Sequence, residues 1–274
     1  MAEPASGRRL PLPWNEVGDV PKRIGGIRVV TWNIKRGVEA GLERLPDLGA
    51  VIEVCRKLDA DFVAIQELDR VAFRTFFVDQ AAVLARRTGM HAIYEPSVNW
   101  GMDRLNLWPG DRGHALFSRW KPRWHKVFSL SEAGPEYDPR RLILAGFRIK
   151  GTDLTVAATH LGRGRNRPED QLQACVDELN QYVGLRLLIG DTNLNEAASL
   201  KVLARGSGLS LVDQTHRTFV TGHHAIDQVA HNGFTLRDTH VIDGRVSDHS
   251  AVVVDFDFDT ITRPNGISLP ELRI

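Results

Sequence analysis

Apolar, β-rich runs in this chain repeatedly break off on a polar side chain, and that pattern limits the folds open to it. Ile27 to Asn33 reads I-R-V-V-T-W-N and ends on an amide. Asp61 to Glu67 reads D-F-V-A-I-Q-E, an apolar run ending on Gln66 and Glu67, and Leu154 to His160 reads L-T-V-A-A-T-H. Leu185 to Ile189 leads into Gly190-Asp191-Thr192-Asn193. Ser247-Asp248-His249 stands just before Val252-Val253-Val254, the expected last strand, and Ile226-Asp227 falls in a short mixed segment upstream of it. Side chains alternate along extended backbone, so Asp191 and Asn193 can point the same way. Polar groups capping several strands at one sheet edge converge in space, which is how a rigid scaffold holds a site.

Taken singly, each group has a plainer reading. Asn33 satisfies a loop, Glu67 is a solvated strand-end carboxylate, His160 is a hydrogen-bonded semi-buried histidine, and Ser247-Asp248-His249 is an ordinary turn. Their shared strand-end placement argues against coincidence. In their order T-W-N-I (31 to 34), Q-E (66 to 67), T-H-L (159 to 161), G-D-T-N-L (190 to 194), I-D-Q-V (226 to 229) and S-D-H (247 to 249), the chain resembles the endonuclease/exonuclease/phosphatase superfamily. That superfamily includes DNase I, apurinic endonucleases, neutral sphingomyelinases and inositol polyphosphate 5-phosphatases. A weaker echo is G-H-A-L-F-S-R (113 to 119), with His114 where the family usually has Asn.

Phosphoester hydrolysis needs a nucleophilic water, neutralised phosphoryl oxygens and a stabilised leaving oxygen. Glu67 offers the hard oxygen that Mg²⁺ prefers. The resemblance adds Asn33 and Asp248 around the same metal, Mg²⁺ or alternatively Mn²⁺. It implies that Asp191 orients or deprotonates the attacking water. Asn193 and His160 then hydrogen-bond the developing negative charge, and His249 faces the phosphate with its tautomer fixed by Asp227. Asp191 and His249 both stay open as the base, and Ser247 is not a nucleophile. Lys35 stands where apurinic endonucleases carry an acid, and His160 where they carry Tyr, so the chain departs from that branch. Gln228 replaces the aromatic often found after the I-D pair. The expected substrate is a phosphodiester, DNA or RNA ahead of a phospholipid or small molecule, and no protein partner is predicted. A non-catalytic binding module on the same fold is the other class; intact Glu67, His160, Asp191, Asn193, Asp227, Asp248 and His249 argue against it.

Periodicity alone gives only α/β or α+β. Leu45, Leu48, Val51, Ile52, Cys55 and Leu58 follow helical spacing, and a second helix over 78 to 88 stops at Gly89. Pro168, Glu169 and Asp170 open a third helix, whose stripe is Leu172, Cys175, Val176, Leu179 and Val183. The last strand alternates Val252, Val254, Phe256 and Phe258 with Val253, Asp255 and Asp257, so a half-buried strand is expected. The stretch from Leu116 to Ala158 reads as strands. The resemblance implies a DNase I-like, four-layer α/β/β/α sandwich.

The domain expectation is a Pro-rich arm over 1–24, one catalytic domain over 25–260 and a tail over 261–274. Glu95 to Arg112 reads as a surface loop beside the site. An apolar rim built there by Trp100, Leu105, Leu107 and Trp108 would favour lipid, whereas a basic stripe would favour nucleic acid. The formal net charge is +1, which supplies no global field for nucleic acid but leaves room for a local basic groove. Arg163, Arg165 and Arg167 either meet phosphates beside His160 or form a solvated loop. His223-His224 has no thiolate partner and reads as a polar loop, so Zn²⁺ is not needed. Cys55 and Cys175 read as reduced core thiols. No signal peptide or membrane-length apolar run is evident, and a cytoplasmic location is the default expectation.

Overall fold

The computed structural model describes residues 26–38, 45–99, 110–130, 139–164, 167–213, 217–219, 224–243 and 246–258. The expected arm and tail, the rim residues Trp100, Leu105, Leu107 and Trp108, Arg165 and His223 lie outside them. In chain order the first strands are β1 (Ile27–Asn33), β2 (Phe62–Arg70), β3 (His91–Asn99), β4 (Asp111–Ser118), β5 (Trp124–Ser129) and β6 (Arg141–Ile149). There follow β7 (Thr152–His160), β8 (Leu185–Asp191), β9 (Ser210–Leu211), β10 (Asp227–Asn232), β11 (Thr235–Ile242) and β12 (Ala251–Asp257). The α-helices are α1 (Leu48–Leu58), α2 (Gln80–Thr88), α3 (Pro168–Leu179) and α4 (Glu196–Leu203).

Two six-stranded sheets result, ordered β11-β12-β1-β2-β4-β3 and β5-β6-β7-β8-β10-β9. Their facing sides share one core, in which Val29, Phe62 and Val254 meet Ile143, Val156 and Ile189. On the outer side of the first sheet, Val30, Ile65 and Val253 pack with Val51, Val54 and Leu58 of α1 and Leu84 of α2. Outside the second, Leu144, Ala157 and Leu188 pack with Leu172, Val176 and Leu179 of α3 and Val202 of α4. The chain is thus an α/β sandwich of the DNase I-like kind, two mixed sheets with a helical layer on each.

The helices form where capping and apolar spacing agree. Asp47 accepts the Ala50 amide at the start of α1, and Asp79 accepts that of Ala82 before α2. Gly89, at φ 72°, ends α2 as expected. Two expectations shift. Leu45 lies before α1 and is exposed, and Val183 lies beyond α3 at 91% exposure, so the α3 stripe stops at Leu179. Both cysteines are free and buried.

The half-buried last strand is corrected too. β12 lies between β11 and β1, and α1 and α2 cover its outward face, so Val253 and Asp255 are buried with the rest. Asp255 is tolerated because buried Arg28 donates to it twice, Nε to Oδ1 at 2.8 Å and Nη2 to Oδ2 at 2.7 Å. β2 also differs from expectation. It continues to Arg70, and the β2–β4 ladder slips between Gln66 and Leu68, where Glu67 takes φ 58°. This bulge, rather than a strand end, re-aims the Glu67 side chain.

Candidate active site

Three candidates from the second sheet sit side by side. His160 pairs in register with Asp191 across the parallel β7–β8 ladder, and Asp191 with Asp227 across antiparallel β8–β10. Gly190 makes this close pairing possible, since a Cβ there would lie 2.1 Å from the Thr159 carbonyl oxygen. The first sheet brings Asn33 to the same place. Its Nδ2 donates across the sandwich to Asp191 Oδ2 at 3.0 Å and faces Glu67 Oε1 at 3.4 Å. Its Oδ1 accepts the Lys35 amide at 3.1 Å, so the carbonyl end of this carboxamide is turned to the backbone.

The turn before β12 supplies His249, whose Nδ1 lies 2.7 Å from Asp227 Oδ2. Ser247 fixes that turn by donating to the Asn33 carbonyl at 2.6 Å and accepting the His249 amide at 3.1 Å. Trp32 Nε1 holds the His249 carbonyl at 3.0 Å. Ser247 Oγ is therefore engaged on both sides in structural bonds.

Burial governs the proton chemistry here. Asp191 is fully buried, and burial followed by the charge of Asp227 raises its carboxyl to about 7, against the opposing pull of His249, Asn33 and Asn193. For His249 burial works toward neutrality, but the charge and hydrogen bond of Asp227, with Asp191 behind, overcome it and raise the ring to about 9. His160 moves the other way. Burial and then the charge of Arg140 hold it well below the usual histidine range. Its Nε2, 3.5 Å from Asp191 Oδ2, thus belongs to a neutral ring, and the contact is polar rather than an ion pair.

The remaining predicted residues are placed less uniformly. Asn193, at φ 52°, donates Nδ2 to the Leu161 carbonyl at 2.8 Å and accepts Arg163 Nε on Oδ1 at 2.7 Å, while its amide N–H reaches Asp191 Oδ1 at 3.0 Å. Arg163 therefore stands at the site, 5.6 Å above the Phe219 ring, which itself lies 4.8 Å from the His249 ring. Arg167 does not join it, and its exposed guanidinium pairs with Asp170 on the first turn of α3. Asp248 is held by Lys35 Nζ at 2.8 Å, and Glu67 has Arg112 at 3.7 Å.

Sequence reading missed Phe219, and also Thr218, whose hydroxyl accepts the Ile226 and Asp227 amides at 3.0 and 3.1 Å. Both stand in an irregular segment with no periodicity to expose them. Lys35 and His114 were noticed as departures from a family pattern, without their neighbours.

The donor set can be tested for a divalent cation on one feature. Asp227 Oδ1 is buried with no hydrogen-bond partner, an expensive state for a carboxylate oxygen. Asp191, Asp227 and His249 also bring one ligand atom each within 4.8 Å of one another. With Glu67 and Asp248 alongside, hard oxygen donors predominate, which suits Mg²⁺ or Mn²⁺ better than a soft metal. The residues fit such an ion.

Residues 30–249 match the model of the Endonuclease/Exonuclease/phosphatase family. Among solved structures, an endonuclease/exonuclease/phosphatase from Beutenbergia cavernae superposes with a TM-score of 0.70 at 21% identity, over 84% of this chain and 71% of that one. The human Nocturnin catalytic domain with bound sulfate anion gives 0.65 at 20% identity, over 85% and 94%. A mannosyl-6-phosphatase of Bacteroides thetaiotaomicron gives 0.65 at 16% identity, over 85% and 100%. No curated protein matches the chain. Among the described residues, no helix is long and apolar enough to cross a membrane.

Proposed function

Since the chain belongs to the endonuclease/exonuclease/phosphatase family, we propose that it hydrolyses phosphodiester bonds by direct attack of water, with a divalent cation and a nuclease-like substrate. The observation that carries this is the buried cluster in which Asp191 faces Asn33 and His160 while Asp227 grips His249. Asp191 is the base. Its carboxyl titrates close to neutrality, where a general base is most effective, whereas His249 is held as a cation and has no free lone pair for a proton. Water adds to phosphorus as its proton passes to Asp191, the bond to the leaving oxygen breaks, and that oxygen takes up a proton from solvent, giving a phosphomonoester and an alcohol.

The other groups serve charge. The His249 imidazolium, fixed by Asp227, and the neutral His160 ring meet the phosphoryl oxygens. Asn193 joins them by giving up its bond to Leu161, and Arg163, tethered to the same carboxamide, adds a guanidinium. Glu67, Asn33 and Asp248, with the unpartnered Asp227 Oδ1 as a further oxygen donor, would hold Mg²⁺ or Mn²⁺, which supplies Lewis-acid stabilisation of the phosphoryl oxygens; His249, held as a cation, is not a ligand. For Asn33 this needs its carbonyl turned from the Lys35 amide, and for Asp248 a loosened Lys35 pair.

The test is hydrolysis of bis(4-nitrophenyl) phosphate beside 4-nitrophenyl phosphate, with Asp191→Asn as the blank. Diester cleavage that needs Mg²⁺ or Mn²⁺, stops in EDTA and is lost in the variant is expected. Cleavage of the monoester alone would move the reading to a sugar-phosphate or inositol-phosphate phosphatase. Cleavage of neither, with no heat of Mg²⁺ binding, would make the chain a binding module.

A further inference from the structure

Residues 71–78, between β2 and α2, make a closed loop that leaves β2 four residues after Glu67. Arg70 and Asp79 bridge its base, and the Val71 amide donates to the Val78 carbonyl at 3.1 Å. Inside, Ala72 and Thr75 are buried. The Thr75 and Phe77 amides both donate to the Ala72 carbonyl, at 3.1 and 2.9 Å, and the Phe76 amide to that of Phe73 at 3.0 Å. So much internal bonding makes the loop a rigid mount, yet its outward side chains are large and apolar. Phe73 is 62% exposed, Phe76 64% and Phe77 44%. Val71, Phe76 and Phe77 all take positive φ, an uncommon conformation for a β-branched or aromatic residue. A sequence choosing only for stability would not put aromatic rings there.

The second observation is charge. Arg36 stands among Arg74, Arg112, Asp69 and Glu67, and burial, then Arg74, push its guanidinium below the usual arginine range against the pull of Asp69 and Glu67. Arg74 is pinned by Asp69 through two bonds of 2.7 Å, and Arg112 sits 3.7 Å from Glu67. Among the described residues no carboxylate is hydrogen-bonded to the Arg36 side chain. Its backbone is clamped, the carbonyl accepting Gln80 Nε2 at 2.9 Å while Gln80 Oε1 takes the Asp69 amide at 2.8 Å. Cations thus run from Glu67 to the foot of the aromatic loop.

We propose that this loop and the Arg36 cluster bind single-stranded nucleic acid beside the bond to be cleaved, Phe73 and Phe76 stacking on bases and Arg36 meeting a flanking phosphate. Exposed rings beside guanidiniums are the two elements a single-strand site needs. A loop built to enter a bilayer would carry its cations as a collar toward headgroups. Here Arg70, Arg74 and Arg112 are paired with Asp111, Asp69 and Glu67, and Arg36 is the guanidinium of the cluster with no carboxylate hydrogen bond among the described residues. This assignment rests on the phosphodiesterase reading and names its substrate class.

The experiment is fluorescence anisotropy of a labelled oligothymidylate of about a dozen nucleotides, in EDTA so that no cleavage occurs. Wild-type protein is expected to bind, and Phe73→Ala with Phe76→Ala to weaken binding by about tenfold or more. Arg36→Gln should lower the slope of log K against log salt by about 0.7. Hydrolysis of bis(4-nitrophenyl) phosphate by the phenylalanine variant should equal wild type, which shows that it is folded and that the loop serves only extended substrates. Unchanged oligonucleotide affinity in that active variant overturns the assignment. So does capture of wild type by phosphatidylcholine–phosphatidylserine vesicles that is lost in the variant while oligonucleotide affinity stays the same. Failure of the phosphodiesterase reading looks different, since the small diester would then survive wild-type enzyme whatever the anisotropy shows.

Discussion

The candidate site has two halves that treat charge in opposite ways. The inner half, Asp191, Asp227, His249 and His160, is buried, and Asp227 holds the His249 ring through Oδ2 while its Oδ1 is left unmatched. The outer half, Glu67 and Asp248, is about one-fifth exposed, and each carboxylate has a permanent cation near it, Arg112 and Lys35. Inside, the low dielectric makes every missing partner expensive and moves protons on and off at unusual pH. Outside, water screens the same chemistry and the ion pairs are worth little. The halves therefore suit different work, the inner one proton handling and the outer one exchangeable ligation.

The largest effect expected from this contrast is on turnover. Asp191→Asn or His249→Ala should lower kcat on a diester by on the order of 10²–10⁴ with the circular dichroism spectrum unchanged. Near-normal turnover in either folded variant would end the proton-handling role of the inner half.

A buried carboxylate with no chemical duty serves as the control. Asp255 is buried, though less completely than Asp191 and Asp227, and is matched by Arg28. Arg28→Met should cost roughly 3–5 kcal/mol in urea unfolding, because Asp255 is left buried and alone. Turnover of the folded fraction should hold. A parallel fall in kcat would mean that burial of charge, rather than its incomplete compensation, marks the site.

The interior effect can also be read by pH. His114 is fully buried, and burial, then the charge of Arg140, lowers it to about 4 against the opposing pull of the Ala158 backbone. Its folded pKa lies below the unfolded value of about 6.5, so the unfolded chain takes the proton first. The stability tied to the neutral ring is full above pH 6.5 and is lost as pH falls toward 4, at most about 3 kcal/mol. His114→Asn should flatten that limb of the stability curve. Parallel curves for the two proteins would show that another group sets it.

The smallest effect belongs to the outer half. Lys35→Gln frees Asp248 from its ion pair and should tighten Mg²⁺ binding by about three- to tenfold in calorimetry. Weaker binding would mean that Lys35 orients Asp248 for the ion rather than competing with it.

Much of this site is legible in the residues, because strand periodicity and strand ends are local properties. Asn33, His160, Asp191 and Asp227 lie where apolar runs stop or start, and the backbone ladders set the last three in register. Glu67 was found for a partly mistaken reason, since the strand does not end there and a bulge turns the side chain. Phe219 and Thr218 were invisible, because what gives them meaning is the His249 ring and the Asp227 amide. Arg163 and Arg167 look alike in sequence, and only their neighbours, Asn193 for one and Asp170 for the other, separate them. Val183 and Asp255 failed in mirror image, an apolar residue left outside and a charged one taken in.

By itself the sequence determined the alternation of strands and helices, the Gly89 stop of α2, the Pro168 start of α3, and the set of oxygen and imidazole donors available. Those follow from backbone sterics and side-chain periodicity, which act over a few residues. Tertiary structure alone decided that Asn33 reaches across the sandwich to Asp191, and that Asp227 spends one oxygen on His249 and leaves the other bare. It also decided that Lys35 meets Asp248. Burial and charge pairing depend on which distant segments share a volume, and no local pattern encodes that.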